Sequence, residues 1–438
     1  MRKVLLTFIL ASVASLSWAS EVNIQTWHNS KGAKVMYVYA PQIPMVDVQV
    51  TFDAGSARDG KKWGLAAMTA GLLASGTHAH NEEEISDAFN RLGAQYGADS
   101  GRDMAAFSLR TLTRKENYQE ATSLFQEVLS EPTFPKSVFE REKANLLEGL
   151  KQKKVQPQTL AQEALWKTLY GKHPYAHPVE GTTETIQTLS EYELKQFYQR
   201  YYVAKNATIA IVGAVTLSQA KKLAEKLTRF MPSGHRAPAL PKVLPVTKAQ
   251  EKTISFPSSQ TYYSLAQIGV KRGDPDYYAL FLGNHLLGGS GFASLLMQHV
   301  REERGLVYSV YSYFVPMRQP GPFVIGLSTK NSTALEADKV VQQTLKDFMA
   351  GKFSEEKLQA IKDNLIGGFP LRLDSNRKIL GYIAMIGFYN LPTDYLKTFP
   401  EKIAELSKEE VLDAWNRRIH PNKMVKIMVG QPGKAQIK

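Results

Sequence analysis

The chain of 438 residues carries a formal charge of +13 at pH 7 and contains no cysteine. That excludes disulfides, thiolate metal ligands and a thiol nucleophile, and the length exceeds one ordinary domain. Lys and Arg are interspersed with acids rather than gathered in a block, which argues against nucleic acid and leaves a basic chamber or an acidic partner surface.

Met1-Arg2-Lys3 is a short basic start, Val4 to Trp18 is an apolar run, and Ser17-Trp18-Ala19 fits a small-x-small cleavage site. The expectation is a secretion signal cut near Ala19 and a periplasmic mature protein. Losing Arg2 and Lys3 would take the formal charge from +13 to +11. No later apolar run is long enough to span a bilayer, and no cysteine offers a lipid attachment site, so no stable membrane anchor is expected.

Val35 to Tyr39 and Val46 to Phe52 read as strands, the second with strict alternation. A helix is framed by Gly64-Leu65-Ala66 and Gly76-Thr77. Asn81 followed by Glu82-Glu83-Glu84 is an N-cap with acids in the first turn, opening a helix to about Arg91. Met104 to Thr111 reads as a strand, and amphipathic helices follow at about 116–130 and 136–153. Helix–loop segments lead to a strand at Thr208 to Val212 and a helix at about 217–230.

Met231 to Val246 carries four prolines and reads as a linker. Beyond it the pattern repeats. Lys143-Ala144-Asn145-Leu146-Leu147-Glu148-Gly149 is echoed by Lys362-Asp363-Asn364-Leu365-Ile366-Gly367-Gly368. The run from Leu189-Ser190 through Asn206 to Gly213 is echoed by Leu406-Ser407 through Asn422 to Gly430. The expected divisions are therefore a signal at 1–19, an N-terminal domain at 20–230, a linker at 231–250 and a homologous C-terminal domain at 251–438.

The frame Gly64 to Thr77, with Tyr170 to Tyr175, Gly181-Thr182, the Asn206 to Gly213 strand and the block Leu287 to Phe314, resembles the pitrilysin/insulinase family of zinc peptidases. The likeness covers nearly the whole chain after the signal. It implies an α+β fold of two homologous α/β/β/α-type domains forming one half of a clamshell around a peptide chamber. The family signature is H-x-x-E-H on a helix, where two His hold zinc and the Glu is the general base. Here those positions are Ala67, Ala70 and Gly71, none of which can bind a metal or take a proton. Glu148 matches the family's third ligand, and without His partners it reads as a relic. No metal is expected in this chain.

Two other groups of histidines stand in the sequence. His78 and His80 with Glu82 to Glu84 form a His/Glu cluster that could hold relocated ligands, but read more simply as a loop entering a helix. His173 and His177 lie between prolines in a turn, which favours packing. The Gly288-Gly289-Ser290-Gly291 loop lacks the phosphate-binding pattern, so no nucleotide is expected.

Phe292 to Arg304 reads as an amphipathic helix with Phe292, Leu295, Leu296 and His299 on one side, stopped by Gly305. Leu306 to Phe314 reads as a strand with Tyr308, Val310, Ser312 and Phe314 on one face. Arg301 and Tyr308 match the arginine–tyrosine pair of the family's small bacterial peptidases, which contacts the substrate near the scissile carbonyl. Outside that likeness, Arg301 reads as a solvated charge and Tyr308 as a core residue. Ala98, Asp99 and Ser100 fall where the family presents an edge strand to peptides; the alternative is a solvent edge guarded by charges.

The resulting expectation is a catalytically incomplete subunit that provides Arg301 and Tyr308 in trans to an H-x-x-E-H partner. That partner would carry the zinc, and the substrate would be a peptide or unfolded polypeptide. The rival reading is a non-enzymatic peptide-binding or scaffold protein on the same fold.

Overall fold

A computed structural model describes residues 22–434; the expected signal segment lies outside them. Two mixed sheets dominate. The first contains β1 (Gln25–His28), β2 (Lys34–Tyr39), β3 (Met45–Phe52), β4 (Gln95–Ser100), β5 (Ala105–Leu112) and β6 (Ala207–Gly213), in the order β1-β2-β6-β3-β5-β4. The second contains β7 (Gln250–Ser255), β8 (Gln260–Ile268), β9 (Val307–Phe314), β10 (Pro322–Lys330) and β11 (Val425–Gly430), in the order β7-β11-β8-β10-β9. Apart from β1, the two orders coincide strand for strand. The parallel pair also falls in the same place, β2 with β6 and β7 with β11. The duplication expected from the sequence echoes is thus present in the topology: Asn206 to Gly213 and Asn422 to Gly430 lead into and form the equivalent strands β6 and β11.

The alternation in β3 sets the first core. Val46, Val48, Val50 and Phe52 are fully buried against the first half's own helices. The opposite face carries Asp47, Gln49 and Thr51, and there Asp47 and Thr51 are also buried. Their cover is the Asn376–Tyr389 helix of the second half, which packs across β2, β3 and β6. Asp47 tolerates this because Arg110 donates to both its carboxylate oxygens at 2.6 and 3.2 Å. Gly387 permits the close approach, since a Cβ there would lie 2.6 Å from Met36 Cγ and 2.7 Å from Thr208 Cγ2.

The exchange is reciprocal. The Pro157–Tyr170 helix of the first half packs on the second sheet, setting Ala161, Leu165, Trp166 and Leu169 against Ala266, Val425, Ile427 and Val429.

A polar hub ties the halves together. Asp103, only 4% exposed, accepts from the Tyr175 hydroxyl, from the Tyr389 hydroxyl at 3.0 Å and from the Arg318 backbone N–H at 2.7 Å. The Arg318 guanidinium continues to Asp53 at 3.3 Å. Burial first, and then the Asp103 charge, hold both phenols well above the ordinary tyrosine range. Among the described residues no helix is long and apolar enough to cross a membrane.

Candidate functional site

The helix at the degenerate motif is Leu65–Gly71, shorter than the frame ending at Thr77. Asp59 caps its start, accepting from Gly64 N at 2.8 Å and Ala66 N at 2.7 Å. Burial pushes the Asp59 carboxyl up to about 8, against those two N–H donors. Past Gly71, a weak helix former, the chain turns through three-residue bonds from Leu73 N to Ala70 O and from Ser75 N to Leu72 O. Gly76 then bridges to Asn81.

Ala70 is buried, Ala67 half-buried and Gly71 exposed, with open space where its Cβ would stand. Glu148, on the Lys136–Lys154 helix, is an exposed carboxylate paired with Lys151 at 3.3 Å. These residues do not fit a zinc ion, because none of the three motif positions offers a donor atom.

The alternative ligand cluster is otherwise engaged. His80 Nδ1 lies 2.9 Å from Glu127, which also accepts from the Thr77 hydroxyl, while His78 is exposed. Among the described residues no group of three or more metal-ligating side chains converges. His173 accepts from Tyr175 N at 3.1 Å and lies 3.0 Å from the Pro241 carbonyl; His177 stacks on Trp63 with ring centroids 5.2 Å apart. Burial lowers both imidazoles, as expected of neutral packing residues.

In the second half, the structure corrects the expected Phe292 to Arg304 helix. Gly291–Ala293 is a 3₁₀ turn, Ser294 is extended, and Met297–Glu302 is π-helical. Phe292 consequently leaves the core and is 66% exposed, while Leu295 and Leu296 remain buried. Gly305 does end the segment, at φ +62° with its N–H on the Arg301 carbonyl at 2.7 Å.

The expected single face of Tyr308, Val310, Ser312 and Phe314 is also corrected. Val310 pairs with Leu327, but Val307 pairs with Thr329, so β9 carries one extra residue and bulges at Tyr308 and Ser309. Val307 and Val310 stay buried, and Tyr308 swings outward to 85% exposure. The Thr329 hydroxyl secures the start of the bulge by donating to the Leu306 carbonyl at 2.5 Å.

These two irregularities bring the expected pair together. The Arg301 guanidinium lies 4.7 Å from the Phe292 ring centre and 5.1 Å from that of Tyr308. Such contacts orient a cation for about 0.5–2 kcal/mol without occupying its N–H groups. Among the described residues the Arg301 side chain has no carboxylate partner and makes no hydrogen bond, so its donor fork is free for a carbonyl or carboxylate oxygen. Phe292 was missed as a site residue because a helical reading turned it inward.

Ala98, Asp99 and Ser100 lie in β4, the outermost strand of the first sheet, whose outer edge pairs with no other strand among the described residues. The Leu65–Gly71 helix packs beside this strand. β9 is the corresponding edge of the second sheet. The degenerate motif and the Arg301–Tyr308 pair therefore occupy equivalent edges of the two repeats.

Comparison with known proteins bears on this geometry. A family model described as insulinase (peptidase family M16) matches residues 34–183, and one described as the peptidase M16 inactive domain matches residues 188–365. The chain belongs to the peptidase M16 family. A crystal structure of an M16 inactive domain from Pseudomonas fluorescens is similar at 39% identity and a TM-score of 0.92, covering 95% of this chain and 99% of that one. A Helicobacter pylori protein named as a non-peptidase homologue is 27% identical over 418 residues, 94% of this chain and 95% of its own. A Bacillus subtilis protein named as an uncharacterized zinc protease is 25% identical over 353 residues, 80% of this chain and 85% of its own. M16 membership agrees with the family likeness drawn from the motif frame, and the two-domain α+β fold agrees with what that likeness implied.

Proposed function

We propose that the chain is the non-catalytic subunit of a periplasmic M16 zinc peptidase, acting beside a homologous subunit with an intact H-x-x-E-H. The observation that carries this reading is the contrast between the two repeats: Ala67, Ala70 and Gly71 carry no donor, while Arg301 is held between Phe292 and an exposed Tyr308 with its N–H groups unspent. The partner holds the zinc and the general base. This chain places Arg301 and the Tyr308 hydroxyl at the carbonyl oxygen of a bound peptide, where fixed donors stabilise developing negative charge. The peptide itself pairs with the free edge of β4 at Ala98, Asp99 and Ser100, a mode that tolerates many sequences.

The test is reconstitution with such a partner. Arg301→Ala combined with Tyr308→Phe lowers kcat of the complex by about 100-fold, the usual weight of an oxyanion donor. A fully active complex carrying both changes refutes the proposal.

A second reading, a peptide-binding scaffold with no part in a chemical step, is favoured by the Helicobacter relative's name as a non-peptidase homologue. It predicts that the partner cleaves equally well without this chain.

A further inference from the structure

Outside the Arg301–Tyr308 pair, helices of the second half and the loop at Arg272 form a pocket of about 610 Å³. Arg272, Arg372, Arg377 and Lys378 line it together with Tyr277 and Tyr395, and no acidic residue does. Lys378 is neutralised by Asp374 at 2.9 Å. The three arginines have no carboxylate partner among the described residues. Arg272 lies 5.8 Å from the centre of the Tyr277 ring and 5.5 Å from that of Tyr389, and its Nε is buried without a hydrogen bond. The field is felt nearby: burial and then the Arg372 charge hold His285 down to about 4.

Arg377 ties this pocket to the β4 edge. Its guanidinium donates to the Gln95 side-chain oxygen at 2.9 Å, and Gln95 is the first residue of β4. It also walls a second cleft of about 380 Å³, which runs between that helix and Gln95, Gly97 and Arg110. A strand added to β4 in the antiparallel sense, the more stable and commoner pairing, runs from the Ser100 end toward Gln95. Its C-terminal continuation therefore leaves the sheet at Arg377 and meets unpaired guanidinium groups.

We propose that this pocket binds a carboxylate of the bound polypeptide, on the C-terminal side of the segment paired with β4, so that the preferred substrate is acidic on that side. Planar guanidinium groups suit a carboxylate by donating two parallel hydrogen bonds. The inference rests on the reading of β4 as the receiving edge.

The experiment measures binding of fluorescent unfolded peptides to the full chain by anisotropy. The peptides share one neutral central segment and differ at the C-terminal flank, Glu or Gln, each ending in a free acid or an amide; one further peptide carries Glu on the N-terminal flank instead. The proposal expects about tenfold tighter binding for each acidic form over its neutral counterpart, as befits one charged hydrogen-bonded contact. Comparing Glu-amide with Gln-acid tells a side-chain carboxylate from a terminal one. Arg372→Gln, which leaves the Arg377–Gln95 contact of β4 in place, should largely remove the preference and leave neutral-peptide affinity unchanged, which also reports that the variant is folded. Equal affinities across the series, or an equal gain from Glu on the N-terminal flank, overturns the pocket while leaving the β4 reading intact. Failure of every peptide to bind, neutral ones included, overturns the β4 reading and the pocket with it.

Discussion

Replacing Asp103 by Ala should weaken the junction of the two halves more than any comparable surface change. The carboxylate is 4% exposed and accepts from the Tyr175 hydroxyl, the Tyr389 hydroxyl and Arg318 N. A hydrogen bond to a charged group contributes about 1.5–3 kcal/mol, and three on one acceptor are not additive. The Arg318 guanidinium keeps Asp53, while the buried Arg102 loses the support of a neighbouring charge, and the Tyr175 hydroxyl, on a fully buried side chain, and the Arg318 N–H lose their acceptor. The expected loss is about 3–5 kcal/mol, a large share of the ~5–15 kcal/mol typical of a folded domain. Urea unfolding followed by tryptophan fluorescence measures it. Tyr175→Phe and Tyr389→Phe should each cost less, and Tyr389→Phe should cost almost nothing in the Asp103→Ala background, because its partner has already gone, while Tyr175→Phe still deprives the Gln319 N–H of its acceptor. A loss below about 1 kcal/mol for Asp103→Ala would refute the claim that this carboxylate holds the halves together.

Gly387→Ala forces a methyl to within 2.6 Å of Met36 Cγ and 2.7 Å of Thr208 Cγ2, and should cost about 1–3 kcal/mol by the same urea assay. Asp59 titrates near 8 in the fold and about 4 when unfolded. Between those values the folded chain retains a proton that the unfolded chain has released, so stability falls as pH rises from about 4 to about 8, by at most about 1.4 kcal/mol per unit. Comparing urea midpoints at pH 5 and pH 8 should show this slope in the wild type and a shallower one in Asp59→Asn; equal slopes contradict it.

Local pattern carried much of the fold. Alternation placed Val46, Val48, Val50 and Phe52 in the core, because a strand's two-residue period is set by the backbone alone. Internal echoes exposed the repeat, because equivalent strands β6 and β11 must meet the same central-sheet environment. What failed depended on partners distant in sequence. Alternation alone does not say what covers the polar face of β3, and its cover is a helix that begins only at Asn376. Tyr308 looked like the neighbour of Val310 on one face, and its outward turn is set by the register with β10. Phe292 looked helical and inward, and the breaks at Ser294 and in the π-helical turn send it to Arg301. The Asp103 hub joins residues 215 and 286 positions apart, and the arginine pocket brings Arg272 to residues of helices that begin about a hundred positions later. Only the crowding of Arg372, Arg377 and Lys378 within one short stretch hinted at the pocket.

The central claim is tested most directly by zinc content and peptide cleavage, for the purified chain alone and mixed with an M16 subunit bearing an intact H-x-x-E-H. The isolated chain should hold no zinc and cleave nothing, and cleavage should appear or rise on mixing. Stoichiometric zinc with cleavage by this chain alone, or a partner whose cleavage is unchanged by its addition, would contradict it.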